Sequence, residues 1–337
     1  MDLIKLRALS CLRTSCQLSQ RPLKPLSQIS LQRTSSVASI APSPSQIPSE
    51  SSAASLVSTP LSPSIGVVTS IPYLDPLPPR SVFQHLYSLF LTHGVLVLCP
   101  FQPSPLSPNG FLSLASAFGR PQSYPFLPGI SAQHPQIILV LKQPWETTNF
   151  GGIWHSDTTY LARPPKATVL MAEEVPENGG GDTLFANQHL AYDGLSSGLK
   201  SVLSGLRGVS TSSKADTSRT REERIKDSTI SGQSKPPEVH EAVHPVVRTH
   251  DETGRKGLYI NIAHTARFEG WTEAESEPLL KYLHREQVKN EYVCRHKWRV
   301  GDVAIWDNRC VLHYPVNDYQ GRRRSMLRTT LEGGVPV

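Results

Sequence analysis

The 337-residue sequence has no apolar run near the roughly 18–20 residues that a membrane-crossing helix needs. Its best run, Val95-Leu96-Val97-Leu98-Cys99, has the length of a strand, so membrane insertion is not expected. Cysteine is scarce. The five (Cys11, Cys16, Cys99, Cys294, Cys310) show neither paired metal-binding spacing nor a disulfide framework, which points to a reducing compartment. Acids are missing between Asp2 and Glu50. Residues 1–60 carry six basic side chains against two acids, so four of the six net positive charges sit there. The remainder is close to neutral, and a nucleic-acid surface on the folded part is not required.

What is present at the N-terminus is Arg, Ser and Leu from Lys5 to Arg33. Residues 1–40 read as a mitochondrial transit peptide, the alternative being a cytoplasmic protein with a basic disordered tail. Residues 41–64 are Ser/Pro-rich and read as a disordered linker, with ordered sequence from Ile65. Residues 65–337 are long enough for one domain.

Within that domain, Ser81–His93 is apolar at helical spacing, with Ser81 as N-cap and Gly94 just past its end. Pro108–Phe118 reads as a helix closed by Gly119, and Asn187–Leu199 as another. Thr272–Val288 reads as a helix with Thr272 and Glu275 as a capping box, which Pro278 either breaks or delays to Ser276. Strands are expected at Val95–Cys99, Ile137–Leu141, Thr168–Ala172, Val300–Trp306 and Arg322–Leu331, and a hairpin at Val246–Thr249 with Leu258–Ile262. Residues 208–237, polar and long, read as a lid or insertion. Strands separated by long excursions favour an antiparallel β core with flanking helices over a doubly wound sheet.

Three of the twelve histidines precede a carboxylate by two residues: His155/Asp157, His250/Glu252 and His284/Glu286. Two positions share a face on a strand and diverge on a helix. His284 and Glu286 fall in the last helix and read as solvated surface. His250 and Glu252 fall at a hairpin turn, where polar residues are ordinary. His155 and Asp157 lie beside Gly151, Gly152 and Trp154, as though on a strand entering a crowded site. Ferrous iron that handles oxygen takes two histidines and one carboxylate on one face. His313 is the best-placed third ligand. In the strand that follows, Arg324, Met326, Arg328 and Thr330 share one face. Two arginines beside a metal histidine each call for an anion, which a dicarboxylate co-substrate and an acidic prime substrate would supply. The alternative is an exposed basic edge strand.

Four blocks in order carry a resemblance. They are Trp154 to Tyr160 with Pro164-Pro165, Asn178 to Thr183, Trp306 to His313, and Arg324 with Arg328. Together they resemble the taurine dioxygenase family of iron(II)- and 2-oxoglutarate-dependent oxygenases, from about Ile65 to Gly333. The resemblance implies a mainly β fold, a double-stranded β-helix or jelly roll. It implies Fe(II) on His155, Asp157 and His313, and the distal carboxylate of 2-oxoglutarate on Thr183 and Arg324. It places Arg328 where a sulfonate is held. O2, with ascorbate as an aid in vitro, would complete the chemistry, giving succinate, CO2 and a hydroxylated small organic anion. Hydroxylation of a carbon bearing sulfonate would release an aldehyde and sulfite.

Departures fall on the amine end of a taurine site. Tyr124 stands in place of the family's substrate histidine, Leu127 in place of a tyrosine, Gly151 in place of an asparagine and His264 in place of an aromatic. A roomier pocket without an amine partner follows, suited to another sulfonate, a sulfate ester or a carboxylate. Tyr124 and His264 are candidate substrate contacts, His264 having a structural hydrogen-bonding role as its alternative. Asp307 and Asn308 read as shaping the loop before His313, and Trp154 as packing. A trimethylammonium carboxylate hydroxylase would call for an aromatic cage, for which no set of residues stands out. A non-catalytic 2-oxoglutarate-binding protein would not need His155, Asp157 and His313, and a zinc hydrolase would leave Arg324 and Thr183 idle. A homo-oligomer is compatible with these features. Residues 1–40 fused to a fluorescent reporter are expected to carry it into mitochondria; a cytosolic signal would contradict the targeting reading.

Overall fold

The computed structural model describes residues 56–214 and 239–337. The expected transit segment, the linker up to residue 55, and residues 215–238, which include the rest of the expected lid, lie outside the described residues.

Alternation along each strand builds the main sheet. In β3 (Val95–Pro100) Val95, Val97 and Cys99 enter one core while Leu96 and Leu98 enter another. Val303 and Ile305 of β14 (Val303–Asp307) pack with Leu96 and Leu98, whereas Ala304 and Trp306 face the opposite way. The period of two thus sorts each strand between two buried faces. The sheet runs β1 (Val57–Pro60), β2 (Val67–Ile71), β3, β14, β6 (Ala167–Glu174), β16 (Arg324–Leu331) and β4 (Pro121–Gln122), and β5 (Ile138–Lys142) also pairs with β16. All pairs are antiparallel except β2 with β3. One face is covered by α1 (Arg80–His93) and α2 (Pro108–Ser116), which bury Leu86, Phe90, Phe111 and Leu114 against Leu327 and Leu331. Residues of the other face, with Trp306 and Met326, pack with Phe185 of β7 (Thr183–Asn187). β7 is the centre of a three-stranded sheet between β13 (Val293–His296) and β15 (Val311–Pro315). The expected antiparallel, mainly β architecture with attached helices is the one observed.

A third cluster lies under α3 (Gln188–Asp193), α4 (Ser197–Leu203) and α5 (Glu273–Gln287). Beside it are the hairpin of β10 (Val247–Thr249) with β11 (Lys256–Leu258) and the sheet of β8 (Arg207–Thr211), β9 (Glu241–Pro245) and β12 (Thr265–Phe268). Among the described residues no helix is long and apolar enough to cross a membrane.

Several local expectations need correction. The linker does not extend to residue 64, because Val57–Pro60 pairs with Val67–Ser70. The lid does not begin at residue 208, because Gly208–Thr211 belongs to β8, paired on both sides. Helix α1 starts at Arg80, so Ser81 lies inside the first turn and Pro79 precedes it without a side-chain cap. Gly94 does close that helix, at φ 70°, donating to the Phe90 carbonyl. Ser107 caps α2, which ends at Ser116 before Gly119. The expected helix 187–199 is two. Asn187 caps the first, and Ser196 restarts the chain after Gly194, whose position lies against the Tyr292 hydroxyl. Helix α5 begins at Glu273 under the Thr272/Glu275 capping box and runs through Pro278. Strand β11 stops at Leu258, because Asn261 is drawn into hydrogen bonds with Thr159, His264 and Thr265. His284 is half-buried and bonded to Gln287, and burial pushes it down to about 4.

Phe185, wholly buried between the two sheets, is expected to lose roughly 3–5 kcal/mol on truncation to Ala, read by chemical denaturation. Val202→Ala, on the exposed face of α4, is expected to stay within about 0.5 kcal/mol.

Candidate active site

His155 does not lie on a strand, as expected, but in an irregular segment tied to β15 by one bridge. His155 N–H donates to the His313 carbonyl at 3.1 Å and His313 N–H returns to the His155 carbonyl at 2.8 Å. Three residues on, Thr158 takes a left-handed φ of 44°, turning the chain just after Asp157. The His155 and His313 rings stand 4.1 Å apart, and His155 Nε2 lies 3.7 Å from Asp157 Oδ1. Donor atoms from His155, Asp157 and His313 lie within 4.8 Å of one another. The sequence expectation that these three converge is met.

Their protonation suits a divalent cation. Burial depresses the pKa of both imidazoles, that of His313 well below the ordinary histidine value, so both are neutral at pH 7. His155 Nδ1 is 2.6 Å from the Ile153 carbonyl, a contact that fixes the proton on Nδ1 and leaves the Nε2 lone pair free. His313 Nδ1 is buried without a partner. Burial opposes ionisation of Asp157, but the Arg328 guanidinium and the Thr168 hydroxyl outweigh it, holding the carboxyl well below the usual range. Two neutral imidazoles and one anionic oxygen donor fit Fe(II).

Positioning comes from the Trp306–Arg309 corner. Thr168 donates to Asp157 Oδ2 and accepts from Asn308 Nδ2 at 2.9 Å. Asn308 Oδ1 accepts from Trp306 Nε1 at 3.1 Å, and its backbone carbonyl accepts from Ser156 at 2.7 Å. On either side of Asn308, Arg309 clamps Asp307 through Nε at 2.8 Å and a terminal nitrogen at 2.6 Å. Arg309 also reaches Asp251 at 3.0 Å and Glu252 at 2.6 Å, while His250 contacts Asp307 at 3.0 Å. His250 and Glu252 thus serve the turn, where His250 Nδ1 accepts from the Glu252 and Thr253 N–H groups, and also join an ion network around buried Asp307 and Arg309. The network partners Asp307 and Arg309 lie more than fifty positions away in the chain, and no local pattern announces them. His250, Asp307 and Cys310 also cluster, but Arg309 and His250 already engage the Asp307 carboxylate, as a structural ion pair requires.

A cavity runs from the three donors to Thr183 and Arg324. Arg324 is 5% exposed, and its Nε and one terminal nitrogen lack any acceptor, so a buried guanidinium waits for an anion. Thr183 Oγ1 accepts from Trp298 Nε1 at 3.0 Å, which leaves its own proton to donate. Gly181, at φ 69°, shapes this end: a Cβ there would come within 2.8 Å of the Arg324 side chain. The glycine run before Thr183 is thus more than a turn.

A second lobe, sharing His155 and Asp157, is lined by Tyr124, Phe150, Tyr160, His264 and Arg328. Arg328 does not stand without an anion, since it donates to Asp157 Oδ1 at 2.9 Å, and its guanidinium lies 5.4 Å from the Tyr124 ring centre. His264 lines the lobe and also takes its structural role, with Nδ1 3.0 Å from the Thr159 hydroxyl; burial pushes it down to about 3, so it is neutral. Gly151 belongs to the same wall, where a Cβ would meet the His155 ring at 2.9 Å. Trp154 packs on Tyr314 with ring centres 5.6 Å apart. Site roles for Phe150 and Tyr160, on loops, and for Thr168, on β6, escaped the sequence reading, because spacing alone does not say which side chains turn toward the donors.

The chain is similar to known proteins. A family described as "Taurine catabolism dioxygenase TauD, TfdA family" matches residues 58–330. An alkylsulfatase of Acinetobacter baylyi is 32% identical over 262 residues, 76% of this chain and 78% of that protein. An alpha-ketoglutarate-dependent sulfate ester dioxygenase of Pseudomonas putida is 33% identical over 237 residues, 68% of this chain and 74% of its own length. The crystal structure of a taurine dioxygenase from Burkholderia xenovorans superposes with a TM-score of 0.68 at 30% identity, covering 84% of this chain and 93% of that one. The chain thus shares a recognised enzyme fold and belongs to the TauD/TfdA family of alpha-ketoglutarate-dependent dioxygenases.

Proposed function

We propose that this dioxygenase oxidises a small organic sulfate ester or sulfonate with an apolar body. The observation that carries the reading is the pair of buried arginines on one face of β16, one at each side of the donor cluster. His155, Asp157 and His313 would hold Fe(II). Arg324, with its open nitrogens, and Thr183 would hold the distal carboxylate of 2-oxoglutarate. Bound iron supplies oxygen activation, with the keto acid as the two-electron reductant. Arg328 would orient the anionic group of the substrate at the mouth between the two lobes, and the aromatic wall would exclude water. Hydroxylation of the carbon bearing a sulfate ester gives an unstable adduct that breaks to an aldehyde and hydrogen sulfate. A sulfonate would release sulfite instead.

Taurine is disfavoured by the lobe itself. Its ammonium needs an acceptor, and the only carboxylate among the described lining residues is Asp157, already engaged. Phe150, Tyr160 and neutral His264 suit an apolar body instead. A trimethylammonium substrate is disfavoured too, because the cation nearest Tyr124 is Arg328. The resemblance to proteins named for alkylsulfatase and sulfate ester dioxygenase activity supports the sulfate ester in particular.

Succinate release with Fe(II), ascorbate and 2-oxoglutarate is expected to be at least about tenfold faster with a hexyl sulfate than with taurine, with phenoxyacetate and alkyl sulfonates completing the panel. Taurine outrunning the others would refute the substrate reading. His155→Ala is expected to abolish both turnover and calorimetric binding of Mn(II). Chelation of the wild type should silence it until Fe(II) is returned.

A further inference from the structure

Lys142, the last residue of β5, is 2% exposed. In the β5–β16 register it stands directly opposite Arg324. Cross-strand partners project to the same face, and both side chains line the cavity that Thr183 and Tyr319 share. Like charges directly opposite one another destabilise a sheet unless an anion answers both. Neither cation forms an ion pair among the described residues. Asp182 and Glu146, whose charges favour these cations, are bonded elsewhere, Asp182 to Arg295 and Glu146 to the Gln143 backbone N–H. Lys142 Nζ has one long contact, 3.4 Å to Gln320 Oε1, and lies 4.3 Å from the Tyr319 ring centre. The Tyr319 hydroxyl donates in turn to Asn149 at 2.9 Å, closing the wall beside it.

We propose that Lys142 is a second cationic contact for the distal carboxylate of 2-oxoglutarate, so that the co-substrate is gripped between Lys142 and Arg324 with Thr183 beside them. The proposal rests on reading this cavity as the 2-oxoglutarate site. A carboxylate has two oxygens and about four lone-pair positions, enough to accept from a guanidinium, an ammonium and a hydroxyl together. A lysine that only buttressed the Tyr319 ring would act on any keto acid alike, whereas a carboxylate contact acts only on a dicarboxylate.

That difference is the test. Mn(II)-loaded wild type, Lys142→Met and Lys142→Arg are titrated calorimetrically with 2-oxoglutarate and with 2-oxovalerate, which has the same carbon chain without the distal carboxylate. Lys142→Met is expected to weaken 2-oxoglutarate binding about tenfold and leave 2-oxovalerate unchanged, with Lys142→Arg restoring most of the loss. Lys142→Gln, which keeps a polar end, shows the same pattern should the Met variant fail to fold. Unchanged 2-oxoglutarate binding, or an equal loss for both keto acids, overturns the proposal. A wild type that binds no 2-oxoglutarate overturns the assignment of the cavity itself, and the proposal with it.

Discussion

A buried carboxylate is the constraint around which this site is organised. Asp157 is 6% exposed, and an anion there is costly unless its surroundings supply several favourable partners. The chain supplies them from two directions, Arg328 from β16 and Thr168 from β6, while the neutral imidazoles of His155 and His313 stand beside the carboxylate as fellow donors. Each partner needs its own support. Thr168 is oriented by Asn308, and Asn308 sits between Asp307 and Arg309, whose ion pair anchors the corner to the β10–β11 turn. An anionic oxygen ligand is therefore held ionised and aimed by groups drawn from most of the folded sequence.

The sheet that carries these groups explains why the site is polar on one side and greasy on the other. Strand β16 is buried along its whole length, yet its two faces do different things. Leu327 and Leu331 join the helix-covered core, while Arg324 and Arg328 flank Met326 on the face toward the donors. A one-residue slip would place guanidinium groups in the core and leucines in the cavity, so the hydrophobic pattern itself fixes where both arginines go.

Much of this was legible in the sequence because strand periodicity is strict. The shared face of Arg324 and Arg328 follows from alternation alone, and the His155/Asp157 spacing identified the corner even though the segment proved irregular. What was not legible depended on contacts distant in sequence. His250 and Glu252 look like turn residues until Asp307 and Arg309 are seen beside them. Lys142 ends a short strand, and only its register against Arg324 gives it meaning. Val57–Pro60 reads as linker because its composition is poor in apolar residues, yet pairing with β2 supplies the backbone partners it needs. Helix ends shifted by a residue or two: α2 starts where expected, under Ser107, but stops at Ser116, and Asn187 caps α3 instead of beginning it.

The bridge between His155 and His313 has a consequence for how such proteins diversify. Because main-chain hydrogen bonds tie the two ligand-bearing segments to each other directly, the spacing of their backbones is set without help from the substrate-side walls. Tyr124, Phe150 and His264 arrive from separate loops, and none of the three takes part in that main-chain bridge. Selection can thus retune which molecule enters while the oxidising machinery stays in register.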